Sequence, residues 1–181
     1  MAATIADMHP FSELAMRCAA LTSSLLDEKG EYVAGKLQQR GETALVKALQ
    51  AAHLQGALVA VGMVAMFDAA LQDALGCEDG FAEALTLIES AGKHELHARF
   101  KDVLLAVNVL KHGRGRSHVV LMARREGLPF RVRAEDEFFN EGDVSGLATL
   151  VQVDSAFLQY CAETIDLVAD LIKRQRPNSW I

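Results

Sequence analysis

Residues 93–117 read Lys93-His-Glu-Leu-His-Ala-Arg-Phe-Lys-Asp-Val-Leu-Leu-Ala-Val-Asn-Val-Leu-Lys-His112-Gly-Arg-Gly-Arg-Ser117. Setting successive residues about 100° apart puts Leu96, Phe100, Val103, Val107 and Leu110 on one face of a helix. His94, His97, Lys101, Asn108 and His112 share a second face, within about 60° of one another and interrupted by Leu104. Val109, Leu105 and Ala106 cover much of the remainder, so the C-terminal half is expected to be buried on most sides. Gly113 suits the position after a helix end, and Lys111 and His112 lie where cations favour the helix dipole.

Working outward, the same periodicity recurs on both sides. Upstream, Glu42–Leu75 reads as one long helix of about 50 Å at the usual rise, with a bend expected at Gly56 or Gly62. Leu45, Leu49 and Ala52 form its early stripe, and its middle is apolar all round, which predicts burial on every side. Phe81–Ser90 reads as a helix with Phe81, Leu85 and Ile88 inward. Earlier still, Ser12 is expected to cap a helix that carries Leu14, Cys18, Leu21 and Leu25 as its buried stripe and stops at Gly30. Glu31–Gln39, between Gly30 and Gly41, reads as a short helix or an irregular link.

Downstream, Ser117 can cap a short helix from His118 to about Arg125. Pro129 forces Leu128 into an extended conformation. Phe130–Arg133 alternates apolar and basic residues. Leu147–Val153 either pairs with it as a hairpin or extends the last helix. That helix begins after Asp154 or Ser155, runs to about Arg174, and buries Phe157, Cys161, Ile165, Val168 and Ile172.

Composition agrees with a helical chain and narrows its class. Among 181 residues 51% are hydrophobic, and only three are prolines, Pro10, Pro129 and Pro177, which leaves 11–128 free for long helices. The longest apolar run, Ala57 to Phe67, has eleven residues, short of the about 18 of a membrane span. The N-terminus lacks a basic region followed by an apolar core. Cys18, Cys77 and Cys161 are odd in number and far apart, as expected for reduced thiols. The expected location is therefore cytoplasmic.

No glycine-rich phosphate loop, nucleophile elbow or zinc-protease motif is present. His94-x-x-His97, near Glu89 and Glu95, supplies two ligands where a metal site needs three or four, so neither metal nor other cofactor is expected. Cys77 and Cys161 have no histidine beside them to activate a thiolate.

Charge singles out one region. From Lys93 to Arg133 ten Lys/Arg face three Asp/Glu, a net of +7 in a chain whose net charge is -6. Such a block can attract an anion. It can also be neutralised by Glu135, Asp136, Glu137, Glu141 and Asp143, which follow at once. At its centre Lys111, Arg114, Arg116 and Ser117 are the candidate anion-binding residues. His112 and Asn108 are the candidate catalytic pair, with His112 as acid or base and Arg114 or Lys111 stabilising developing negative charge. The competing reading has Asn108 bonding nearby backbone, His112 closing the helix, and the arginines paired with the acids of 135–143.

A polar residue followed by a histidine near the end of a late helix, in an all-helical chain, resembles the HEPN superfamily of prokaryotic helical proteins. That family's motif is an arginine, often followed by Asn, Asp or His, then a histidine after four to six intervening residues. Many members are metal-independent ribonucleases of toxin or phage-defence systems, usually completing the site across a dimer, and others are non-catalytic. Asn108 and His112 match the second and last motif positions, while Val107 stands where the arginine belongs. Arg99 lies about 140° from His112 around the helix. The resemblance therefore implies a degenerate, binding relative rather than an active nuclease, unless Arg114 or Arg116 substitutes from the turn.

These observations predict an all-α, up-and-down bundle of about five main helices in one domain, 1–181, with an irregular or β-hairpin insertion near 128–153. The chain is expected to be a homodimer away from membranes that binds RNA or a nucleotide-type anion at Asn108–Ser117. Two alternatives stand beside this reading. One is a dimeric structural or regulatory bundle acting through protein–protein contacts with a protein partner or itself. The other is a metal-independent ribonuclease, whose cleavage would be lost in His112→Ala.

Overall fold

The computed structural model describes residues 10–37, 43–139 and 147–181, with backbone alone over 29–37. Six α-helices follow one another there: α1 (Phe11–Leu37), α2 (Thr43–Leu75), α3 (Gly80–Ser90), α4 (His94–His112), α5 (Arg116–Met122) and α6 (Ser155–Gln175). The chain is an all-α bundle, as its periodicity predicts. The expected hairpin reduces to one antiparallel bridge, Val132 to Val151. The Arg133 amide donates to Leu150 at 3.0 Å and the Gln152 amide to Arg131 at 3.0 Å. Leu147–Val153 therefore does not extend α6, which starts instead behind Asp154, whose carboxylate accepts from the Phe157 amide at 2.9 Å.

The core runs from α6 outward. Phe157, Cys161, Ile165, Val168 and Ile172 are buried as their spacing requires. From α4, Phe100, Val103 and Val107 reach the same core, with Leu96 and Leu110 partly buried at its edge. Phe100 meets Phe67 of α2 edge-on at 6.2 Å and Phe81 of α3 at 5.8 Å, a geometry that aromatic quadrupoles favour. At α3 Asp79 caps the helix through the Ala82 amide. Gly80 allows α3 to start hard against α2, since a Cβ there would lie 2.7 Å from the Asp68 carbonyl oxygen.

α1 departs from expectation in three ways. The helix begins at Phe11, with the Pro10 carbonyl accepting from Leu14, so Ser12 is a buried helical residue and not the cap. Its backbone stays helical through Gly30 and Gly35 to Leu37; Gln39, Gly41 and Glu42 lie outside the described residues. Most consequentially, its buried face is Phe11, Ala15, Ala19, Thr22 and Leu26, while Leu14, Cys18, Leu21 and Leu25 are exposed. α1 lies closely against both α2 and α6, and the small residues face that junction.

α2 departs too. Phe11 stacks on Phe67 at 5.9 Å, and a Cβ at Gly56 would lie 3.3 Å from Leu26, so α1 and α2 run antiparallel. Gly56 is thereby an internal contact point. The middle of α2 is nonetheless buried on one side only, with Leu54, Leu58 and Met66 open to solvent. By length and composition α2 could cross a membrane, and 44% of its most apolar 18-residue window is buried in the bundle.

Candidate functional site

The basic turn forms because α4 must stop and reverse. Gly113, at φ 70°, donates its amide to the Val109 carbonyl at 2.8 Å. Gly115 follows at φ 155° and precedes α5. Both values are reached readily only without a Cβ. Ser117 is consequently the second residue of α5, and its hydroxyl caps nothing; it accepts from Asn108 Nδ2 at 3.4 Å.

This turn separates the residues that the sequence groups together. His112 and Arg114 border a cleft of about 600 Å³ that Arg133, Glu135 and Ala148–Leu150 also line. Asn108 and Ser117 bond to each other and line no part of it. Lys111 and Arg116 are exposed outside it. Among the described residues this cleft brings His112 and Arg114 together without Asn108, Lys111, Arg116 or Ser117.

The cations beside the cleft are already engaged. Arg114 pairs with Glu135 at 2.8 Å. Arg125 pairs with Glu137 at 2.8 Å, and the Ala134 amide and Arg125 together hold the Glu137 carboxyl below its ordinary range. Arg133 turns inward and donates to the carbonyls of Thr149 at 2.9 Å, Ala134 at 3.2 Å, Glu135 at 3.3 Å and Glu137 at 2.6 Å. The guanidinium thus organises the irregular segment. Glu141 and Asp143 lie outside the described residues.

Three further polar contacts join distant parts of the chain and carry no local sequence signal. Arg99 Nε donates to Thr164 Oγ1 at 2.8 Å, its Nη2 pairs with Glu163 at 2.8 Å, and its Cζ lies 4.3 Å from the Tyr160 ring centroid. The bond from Arg99, more than burial opposes it, lowers the Glu163 carboxyl. Asp102, largely buried, pairs with Arg124. His118, buried in α5, donates from Nε2 to the Arg133 carbonyl at 2.9 Å, and so ties α5 to the irregular segment. Arg99 points to α6, away from the turn.

Among the described residues no group of three or more His, Cys, Asp or Glu could hold an ion. Cys161 is buried in α6, where desolvation pushes its thiol well above the ordinary range.

The larger unexplained feature is apolar. On α2, Leu54 is 50%, Leu58 64% and Met66 60% exposed, and on α1 Leu14 is 42%, Leu21 70% and Leu25 42% exposed. Six large side chains half in water, on adjacent helices, exceed the scattered exposure that an ordinary surface carries.

Comparison with protein-family models, curated proteins and solved structures found no match to this chain.

Proposed function

We propose that the chain is a dimerising helical bundle that acts through protein–protein contacts, with the outer face of α1 and α2 as its docking surface and a second copy as the occupant. The observation that carries this is the exposure of Leu54, Leu58 and Met66 on α2 and of Leu14, Leu21 and Leu25 on α1, two helices that pack together. Covering a leucine that is already half-buried yields about 1 kcal/mol. Six such side chains on each of two copies yield roughly 12 kcal/mol, of the same order as the roughly 4–15 kcal/mol that association costs. The engagement of Arg114 by Glu135 and of Arg133 by backbone carbonyls favours this reading over an anion site. Light scattering on the eluting protein tests it: a dimer at micromolar concentration is expected, converted to monomer by Leu54→Glu with Leu58→Glu. A monomeric parent protein refutes it.

A second reading keeps the turn as a HEPN-like site for RNA or a nucleotide-type anion, without catalysis. It is favoured by the cleft that His112 and Arg114 border, with Lys111 and Arg116 exposed nearby. An anion there would have to displace Glu135 from Arg114. Titration with a short RNA, followed by fluorescence anisotropy, is expected to show salt-dependent binding that Arg114→Ala weakens. Binding unchanged by that substitution refutes the reading. Ribonuclease action is less well supported, because Val107 stands in the arginine's place and Arg99 is held by Glu163 and Thr164 on α6. Metal-independent cleavage abolished by His112→Ala would establish it.

A further inference from the structure

We infer that two copies pair through α2 in antiparallel register about a twofold axis level with Ala60, each seating Leu58 over Gly62 of the other. The inference rests on the dimer reading above and adds its geometry.

Gly62 supplies the first argument. It stands mid-helix, where glycine weakens a helix relative to alanine. A Cβ built there would meet nothing within 4 Å. Gly56 and Gly80, by contrast, have neighbours at 3.3 Å and 2.7 Å that explain them. Among the described residues nothing needs Gly62 to be small, whereas a closely approaching partner would.

The second argument is self-complementarity. A twofold interface brings residue i of one copy to residue j of the other, and j to i. Around the level of Ala60 the outward residues of α2 match in this way. Leu58 meets Gly62, Leu54 meets Met66, and Ala51 meets Ala69. At about 100° per residue Ala51 and Ala69 lie at the centre of the exposed face and Leu58 and Gly62 within about 20° of it, so these positions project straight at a partner. A protruding leucine therefore faces the one position without a side chain.

Charge gives the third. Lys47 and Asp73 are both exposed, one towards each end of α2. The antiparallel register brings Lys47 of each copy to Asp73 of the other. A parallel pairing would set Lys47 beside Lys47 and Asp73 beside Asp73, an arrangement that electrostatic complementarity selects against.

Cross-linking of the full chain tests the geometry separately from the dimer itself. In a background of Cys18→Ser and Cys77→Ser, a protein carrying Ala51→Cys is mixed with one carrying Ala69→Cys and oxidised. Disulfides need Cβ atoms about 3.5–4.5 Å apart, so a covalent dimer joining the two different variants is expected, with neither variant linking efficiently to itself. Gly62→Leu, which has room to fold, is expected to weaken dimerisation at least tenfold by light scattering. A dimer whose single-cysteine variants link to themselves, or one indifferent to Gly62→Leu, overturns this register but leaves the dimer reading standing. A parent protein that stays monomeric, including one that floats with phosphatidylcholine vesicles as a monomer, overturns both.

Discussion

Gly80→Ala and Gly56→Ala make a matched pair whose ranking follows from atomic distances. The alanine Cβ at position 80 would lie 2.7 Å from both the Asp68 carbonyl oxygen and Leu71 Cβ, and 2.8 Å from Asp68 Oδ1. Two of these atoms are fixed to the backbone of α2, so relief requires α3 to shift bodily. Overpacking of this kind costs about 1–3 kcal/mol, offset by up to about 1 kcal/mol of helix propensity, which leaves a net loss of about 1–2 kcal/mol. For a chain of this length that lowers Tm by about 2–8 °C. At position 56 the nearest atoms are Leu26 Cδ1 and Val153 Cγ1, both at 3.3 Å. These are methyl groups at side-chain ends that can give by a few tenths of an ångström. Crowding and propensity then nearly cancel, and stability stays within about 0.5 kcal/mol of the parent. Urea unfolding of both variants, followed by circular dichroism, decides the matter. A Gly80→Ala protein as stable as the parent, or a Gly56→Ala protein that is the weaker of the two, would refute the packing argument.

Three other outcomes are expected. Because the folded state holds the Glu163 carboxyl below its unfolded value through Arg99, its contribution is fully present above the ordinary carboxylate range and is lost as pH falls through the lowered value; Glu163→Gln should flatten the acid limb of stability against pH, and an unchanged limb would contradict this. Cys161, buried and with its thiol pushed up by desolvation, should resist iodoacetamide in the native protein while exposed Cys18 reacts, as mass spectrometry of the digests would show. Asp154→Ala removes the carboxylate that caps α6 through the Phe157 amide and should cost about 1 kcal/mol in thermal unfolding, with Asp154→Ser retaining most of it.

How much of this was legible in the sequence depends on the kind of signal. Helices α4 and α6 are strongly patterned, and the residues assigned inward, from Phe100 to Ile172, pack inward or against the core. α1 misleads for a physical reason. Leu14, Cys18, Leu21 and Leu25 make the more hydrophobic stripe, yet helices on both flanks select the narrower face of Ala15 and Ala19 and leave the leucines outside. Burial of α2 on every side was inferred from hydrophobicity alone, which cannot tell contact within a chain from contact between chains. At the basic turn, the neutralising acids were visible as Glu135 and Glu137 following the block of cations. The separation of His112 from Asn108 was not, because one faces the cleft and the other bonds Ser117. Arg99 with Glu163 and His118 with the Arg133 carbonyl join distant positions, and no periodicity announces such partners.

The packing of α1 against α6 bears on how the chain acquires its structure during synthesis. Phe11 meets Trp180 edge-on at 5.7 Å, and the Ser155 hydroxyl donates to Asp27 at 2.6 Å. α1 leaves the ribosome before α6 and therefore waits for it before its main partner exists. Until then α2 can gather α3 and α4 while α1 packs on α2 alone, and the faces that α6 will cover stay open to solvent. Nascent chains in that state would be the ones most open to chaperone capture or to premature association with one another.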